Sequence, residues 1–455
     1  MTKRKAAPAM KGMPIGKKIR VSIEGFDDEG RGRGIITNDS SQDVDVAVRG
    51  AFPGDHVECI IERVFAQRGL VQARLSQVIY RGHARGERLC AHRAPCAGCP
   101  LEGALPSFAL SFRQERIRQA LESQQLDVSI EDVITHPSGI YHPRQKVKWA
   151  ISGYPGHLVM GLYAPRSHRV IDSTLCPYTD AQIVDVAPSV LAALNQMNIP
   201  SSHDDPKGVK AIVLRHFKEG VICVAVVGAP LTTPRWKVLE RLVDEGILFG
   251  IGERVDASEG NSVIGGTIAR SAGQMHGTPI SGGPQETPDA FCQPSAEFAT
   301  KLYTDIARFL TYQSPPDAWY VDAYAGTGGF SRALVEDGAE KVIAVERSKE
   351  NIQPEHRGQV HWIQASVEDS LSVLKQSSSP FGVVADPPRK GLGEDAIGLA
   401  KLDASRFVLV SCDPDAMAKD VKRLTEYGYK VVQMIPYDFF AGTHQIETVV
   451  LLEKE

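Results

Sequence analysis

A chain of 455 residues with 42% hydrophobic and 23% charged residues is too long for one ordinary core and too balanced for a disordered polymer, so two or three folded domains are expected. It contains no apolar run of the roughly 18 residues a membrane helix needs and no apolar stretch behind its basic start, so no membrane partner, a cytoplasmic location and a monomer are the expectations. Eight cysteines in such a chain point away from a disulfide framework and toward metal binding or catalysis wherever they cluster.

The net charge of −4 hides an asymmetry, because residues 1–95 hold 17 Lys and Arg against 11 Asp and Glu. Residues 1–13 read as a basic tail suited to sequence-independent attraction to phosphates. From 14 to 78, short alternating segments ("KKIRVSIEGF", "GRGRGII", "DVDVAVRGAFPGDHVECIIERVF", "GLVQARL") stand between glycine turns, which predicts a small all-β barrel. An oligonucleotide-binding barrel suits the positive charge, and an SH3-like barrel gives the same pattern.

Residues 79–280 read as a central α+β domain. Cys90, Cys96 and Cys99 form a Cys-x5-Cys-x2-Cys array, and Cys176 follows in "STLCP". Four thiolates suit tetrahedral zinc or an iron–sulfur cluster, and spacing alone does not choose between them. Cys59, Cys223 and Cys292 read as ordinary residues. The helical text "FRQERIRQALESQ" follows the array, and Arg144, Lys146, Lys148 and Trp149 lie in an extended segment, where cations and an aromatic suit unstacked RNA.

A linker, "SGGPQETP", covers 281–288 and opens the last domain, 281–455. From Trp319 the text alternates strand, turn and helix through "WYVDAY", "KVIAVE", "VHWIQA", "FGVVAD", "RFVLVS", "YKVVQMIP" and "TVVLLE". That pattern predicts a doubly wound, mainly parallel α/β sheet of the Rossmann-like type, with ligands beyond the carboxyl ends of its strands. The first strand runs into "VDAYAGTGGF", where Gly326, Gly328 and Gly329 permit a sharp turn and close approach to a ligand. Glu346 follows 20 residues after Gly326, at the end of the next strand, where its carboxylate can accept both hydroxyls of a ribose. The loop is not G-x-G-x-x-G and the sheet ends in a hairpin pattern, which favours S-adenosylmethionine over a dinucleotide.

The fourth strand ends in "ADPPRKG" and the fifth in "VSCDP", so Asp386 and Cys412 emerge at neighbouring strand ends, and Glu447 follows in "THQIETVV". Together with Phe291 and Gln293, Tyr324 to Phe330, Asp386 to Arg389, Ser411 to Pro414, and His444 with Glu447, these segments resemble the RNA uracil-5 methyltransferase family over the whole C-terminal half. The resemblance implies that Gln293, Tyr324, Glu346 and Asp386 contact S-adenosylmethionine or the target base, that Cys412 adds to C6 of a uracil, and that Glu447 removes the C5 proton. A thiolate is needed because uracil C5 is too weak a nucleophile to take a methyl group unaided. The cysteine array is similar to that of [4Fe–4S]-bearing members, and the N-terminal barrel resembles their TRAM domain. Large-subunit ribosomal RNA is the substrate so implied, with a transfer RNA T-loop uridine as the alternative. Three positions depart from the family pattern: Pro294 and Gly329 stand where Asn is usual, and Ala365 with Ser366 where an Asx is common.

Two rival classes make different demands. A cytosine-5 RNA methyltransferase places Pro before its nucleophile, where this chain has Ser411; a non-catalytic RNA-binding protein has no need of Cys412 and Glu447.

Overall fold

The computed structural model describes residues 13–91, 96–136, 144–165, 167–256, 258, 267–352, 358–375, 378–440 and 442–455. Its contacts divide the chain into two compact units, one of Met1–Arg116 with Phe440–Gln445 and one of Ile117–Phe439 with Ile446–Glu455. The basic tail lies outside the described residues except for Met13, which is buried.

The first unit is built on six strands: β1 (Lys18–Ser22), β2 (Gly25–Phe26), β3 (Gly32–Thr37), β4 (Asp43–Arg49), β5 (His56–Phe65) and β6 (Leu70–Tyr80). They form one sheet in the order β1-β5-β6-β4-β3-β2, antiparallel except for the β4–β6 pair. The alternation read from the text is the burial pattern: Ile19, Val21, Val44, Val46, Val48, Val57, Cys59 and Ile61 are buried in one core while their neighbours, apart from the buried Ala47, are more exposed. Gly34 shows how tightly the sheet curls, since a Cβ there would fall 2.1 Å from the carbonyl oxygen of Ser22 on β1. Helix α1 (Pro106–Ser123) then carries the chain into the second unit.

Two sheets make up the second unit. The first contains β7 (Lys146–Tyr154), β8 (His157–Tyr163), β9 (Val170–Asp172), β10 (Val209–Phe217), β11 (Gly220–Val227), β12 (Gly250–Val255) and β13 (Ile268–Gly273), in the order β13-β12-β11-β10-β7-β8-β9. Helices α2 (Ala181–Gln196) and α3 (Thr233–Asp244) cover one face, burying Trp149, Ile212, Leu214, Ile251, Val190 and Leu239 in a single core. Asp180 caps α2 by accepting the Gln182 N–H, and Thr232 with Pro234 starts α3.

The second sheet follows α4 (Ala296–Thr311), which is capped by Ser295. Its strands are β14 (Trp319–Ala323), β15 (Lys341–Glu346), β16 (Val360–Gln364), β17 (Gly382–Ala385), β18 (Arg406–Ser411), β19 (Tyr429–Tyr437) and β20 (Glu447–Lys454). Helices α5 (Gly329–Glu336), α6 (Val367–Leu374), α7 (Asp395–Ala400) and α8 (Pro414–Glu426) alternate with them. The order is β16-β15-β14-β17-β18-β20-β19, parallel except for the antiparallel β20. β14 and β17 are buried at every position, the signature of parallel strands covered on both faces. The order reverses between β14 and β17, so a crevice opens beyond their carboxyl ends.

Among the described residues no helix is long and apolar enough to cross a membrane.

Candidate active site

The glycine loop leaves β14 through Tyr324, whose φ of +61° is strained for a side-chain-bearing residue, and through Gly326 and Gly328, at φ +55° and +79°. Gly328 is the left-handed N-cap of α5. Gly329 is required for a different reason: a Cβ there would meet the Tyr303 ring at 2.6 Å, because α4 lays that tyrosine over the first turn of α5. This explains one departure from the family pattern, since Tyr303 occupies the space an Asn side chain would need.

Glu346, at the end of β15, ties the loop together. Its Oε2 accepts the Gly326 N–H at 3.0 Å and its Oε1 accepts the Ser348 N–H at 2.7 Å, and the residue stays half-exposed. Tyr324 is committed on its polar end, donating its hydroxyl to Asp395 on α7 at 2.5 Å.

Beneath the loop lies a residue that the sequence reading passed over. Asp322 sits fully buried in β14, with Oδ2 accepting the Ser331 N–H at 2.9 Å and the Ser331 hydroxyl at 2.6 Å, while Oδ1 is buried with no partner. Burial pushes its carboxyl up to about 7 despite those two hydrogen bonds. The available signal was a lone carboxylate inside the apolar strand "WYVDAY".

Asp386 leaves β17 one strand over and accepts the Gln293 Nε2–H at 3.3 Å. Its carboxyl is raised by burial first and by the charge of Asp322 second. The loop after it, "PPRKGLG", is held by Asp420 of α8, which accepts the N–H groups of Leu392 at 2.6 Å and Gly393 at 3.1 Å. Gly391 permits this approach, as a Cβ there would fall 2.3 Å from the Asp420 carboxylate. Asp420 thus fixes the path of this loop, which local sequence pattern does not reveal.

Cys412 is the first residue beyond β18. Ser411 donates its hydroxyl to the Asp413 carbonyl, Asp413 caps α8 by accepting the Ala416 N–H at 2.9 Å, and Pro414 starts the helix, so the thiol stands on a rigid strand-to-helix turn. β18 and β20 pair with Ser411 opposite Thr448; one step further, the same register brings Cys412 beside Glu447. Glu447 is 3% exposed and its Oε1 has no partner. Its carboxyl is raised well above the usual range by burial and by Asp386, against the pull of Arg389. The Cys412 thiol is pushed up to about 12 by burial, then by Glu447, with Arg389 opposing.

The acceptors around this crevice are compatible with S-adenosylmethionine, which carries hydroxyls and a positive charge. Glu346 stays half-exposed at the loop, the glycine turn allows close approach of a ligand, and the buried carboxylates of Asp322, which feels the charge of Arg332, and Asp386 would accommodate a cationic group.

Other sequence expectations fall differently. Trp149 is 2% exposed within the core under α2 and α3, so it has no face for a base to stack on. Lys146 is not a free cation for phosphates, as its Nζ donates to the carbonyls of Asp289 at 2.8 Å and Ala290 at 2.9 Å. Period-two alternation gave both residues a face, and the covering elements come from distant sequence. Cys90, Cys96 and Cys99 belong to the first unit and Cys176 to the second. The Cys96 sulfur accepts the Gly98 N–H at 3.4 Å, and the Cys90 N–H goes to Glu102. Among the described residues no group of three or more His, Cys, Asp or Glu side chains is placed to hold a metal ion.

Residues 379–455, which hold Asp386, Cys412 and Glu447, match the family model described as tRNA (Uracil-5-)-methyltransferase. A Clostridium tetani protein named as an uncharacterized RNA methyltransferase is 27% identical, covering 97% of this chain and 98% of its own. The 23S rRNA (uracil(1939)-C(5))-methyltransferase RlmD of Pseudomonas fluorescens is 26% identical over 97% of this chain and 95% of its own. Among solved structures, the Pyrococcus abyssi tRNA (uracil-54, C5)-methyltransferase in complex with S-adenosyl-L-homocysteine shares the fold, with a TM-score of 0.70 at 21% identity, covering 95% of this chain and all of that one.

Proposed function

We propose, from the premise that this chain is an RNA uracil-5 methyltransferase dependent on S-adenosylmethionine, that it methylates C5 of a uridine in 23S ribosomal RNA, with Cys412 as nucleophile and Glu447 as base. The observation that carries the assignment of roles is the pairing of β18 with β20, whose register sets the thiol beside a buried carboxylate with an unpartnered oxygen.

The sulfonium methyl of the cofactor is the electrophile. Cys412 Sγ forms a bond to uracil C6, and the electrons of the C5–C6 double bond move onto C5 and the C4 oxygen as an enolate. C5 would then form its bond to the methyl carbon as the methyl–sulfonium bond breaks, the electron pair staying on sulfur and the neutral thioether departing. Glu447 takes the C5 proton, the double bond reforms and Cys412 leaves as thiolate. Burial and neighbouring carboxylates bias both groups toward their neutral forms, with Arg389 opposing. A cation bound beside Asp386 would oppose that bias, so cofactor charge would favour the thiolate and the carboxylate that the reaction needs. Gln293 and Asp386 position the cofactor or the base, and Glu346 takes the ribose.

The ribosomal substrate is supported by the relative named as a 23S rRNA enzyme across nearly its whole length. The six-stranded sheet of the first unit reads as a TRAM-type RNA-binding module, and the flipped uridine is delivered to Cys412 from folded RNA. Cys90, Cys96, Cys99 and Cys176 are assigned to a [4Fe–4S] cluster, with zinc as the alternative. The Cys-x5-Cys-x2-Cys spacing and the resemblance support this, and as no three metal donors converge among the described residues, no step runs through it.

The test incubates the protein with labelled S-adenosylmethionine and, separately, ribosomal and transfer RNA from a strain lacking the gene. 5-Methyluridine in large-subunit RNA is expected; label confined to transfer RNA selects the T-loop instead, and no label in either refutes the enzyme. Iron and sulfide assays on anaerobically prepared protein read the cluster, with stoichiometric zinc the opposing result.

A further inference from the structure

The face of the β7–β13 sheet away from α2 and α3 carries three cations that do not face open solvent. Lys146 on β7 and Arg215 on β10 stand opposite each other in the antiparallel pair, and Arg254 lies on β12. Arg215 and Arg254 are 3% and 1% exposed. All three end on one stretch of five residues. Lys146 donates to the carbonyls of Asp289 and Ala290; Arg215 donates to the Thr287 carbonyl at 2.9 Å, the Ala290 carbonyl at 3.2 Å and the Glu286 carboxylate at 2.5 Å; Arg254 pairs with Asp289.

The stretch leads directly to Phe291, Cys292 and Gln293. On the far side of Gln293 the chain is fixed again, since the Gln145 N–H donates to the Pro294 carbonyl at 3.4 Å and His136 meets the Ser295 hydroxyl at 3.0 Å. Gln293 is thus strung across a short span between two anchored ends, and it reaches Asp386 from there. Four of the contacts from Lys146 and Arg215 end on carbonyl oxygens, which fixes the path of the main chain itself. Burying two arginines and half-burying a lysine is costly unless each is paired, so such a cluster is a poor choice for a surface meant only to attract phosphates.

We propose that Lys146, Arg215 and Arg254 form a clasp on Glu286–Ala290 that positions Gln293 against Asp386, making them positioning residues for methyl transfer although none reaches the reacting atoms. This rests on the reading of Gln293 and Asp386 as part of the methyl-transfer site. The clasp gives the central sheet a role in catalysis distinct from holding RNA. It also places Pro294, a departure from the family pattern, at an anchored position, where a ring with fixed φ suits a chain that is not meant to move.

The experiment uses the full-length protein and the variant Lys146→Met, which removes both Nζ hydrogen bonds while keeping most of the unbranched stem, with Lys146→Arg as the conservative control and Asp289→Asn as a second way to loosen the clasp. Amide hydrogen exchange at 287–293 should accelerate about tenfold or more in Lys146→Met and Asp289→Asn and stay near wild type in Lys146→Arg. In turnover, Lys146→Met should lower kcat/KM about tenfold in the wild-type background, and by less than about twofold in a Gln293→Ala background, because both changes disable one device. Unchanged exchange, or losses that multiply independently of Gln293, overturns the clasp. If Lys146→Met does not fold, the same two readings on Asp289→Asn decide. A wild-type protein that methylates no RNA defeats the functional reading instead, and exchange at 287–293 still tests the clasp.

Discussion

The second unit contains two clusters of buried charge with opposite character. At the strand ends, Asp322, Asp386 and Glu447 are carboxylates in a low-dielectric pocket, with oxygens of Asp322 and Glu447 left unpartnered and their acidities suppressed. On the central sheet, Lys146, Arg215 and Arg254 each meet a carboxylate or carbonyl partner from Glu286–Ala290. The contrast separates two uses of buried polarity. A cluster closed on itself holds the chain; one left open, at a cost to folding, leaves polar atoms that a ligand could satisfy, which is the role proposed for it.

Removing the nucleophile breaks the open cluster most severely. Cys412→Ala should lower methyl transfer by about four orders of magnitude or more and abolish the covalent adduct with RNA carrying 5-fluorouridine. Retained activity would rule out covalent catalysis.

Glu447→Gln acts later in the cycle. Turnover should fall about 10²- to 10³-fold while methylated adduct accumulates, visible as a shifted band on a denaturing gel. The Cys412 thiol, which Glu447 helps push up to about 12, should also ionise more readily, so iodoacetamide alkylation at fixed pH should quicken. A variant that alkylates no faster and traps no adduct would remove Glu447 from the base role.

A subtler effect is expected at Asp322. Its folded-state pKa is raised from 3.8 to about 7, so the protonated form is favoured on folding. The ligand-free protein should therefore be most stabilised by this group below its unfolded pKa and lose that contribution as pH rises through about 7. Asp322→Asn should flatten this slope in thermal melts across that range and weaken cofactor binding about tenfold in calorimetry. Tighter binding in the variant would contradict a carboxylate awaiting a cation.

The smallest effect is steric. Gly329→Ala should cost about 1–3 kcal/mol of stability through its collision with the Tyr303 ring. Combining it with Tyr303→Ala should recover part of the overpacking term, measured as the coupling in a denaturant double-mutant cycle.

Much was legible in the text because local periodicity and turn chemistry survive in a single chain. The strands from Trp319 onward, the glycine turn, Glu346 at a strand end and Cys412 before a helix-starting Asp-Pro all follow from short-range rules, and the fold places them as read. What those rules do not carry is which solvent-facing position another segment will cover. Lys146 and Trp149 share a strand with the alternation of an exposed face, yet Trp149 is sealed by helices and Lys146 by the Glu286–Ala290 stretch, which lies more than a hundred residues away in sequence. Asp322 was hidden for the converse reason. An Asp inside an apolar strand signals its function only when the parallel neighbours that bury it, and the Ser331 that half-satisfies it, are in place. Sequence alone determined the order of elements and the chemistry available at strand ends; tertiary packing decided which charges were completed within the protein and which were left for a ligand, because desolvation depends on neighbours that no local pattern records.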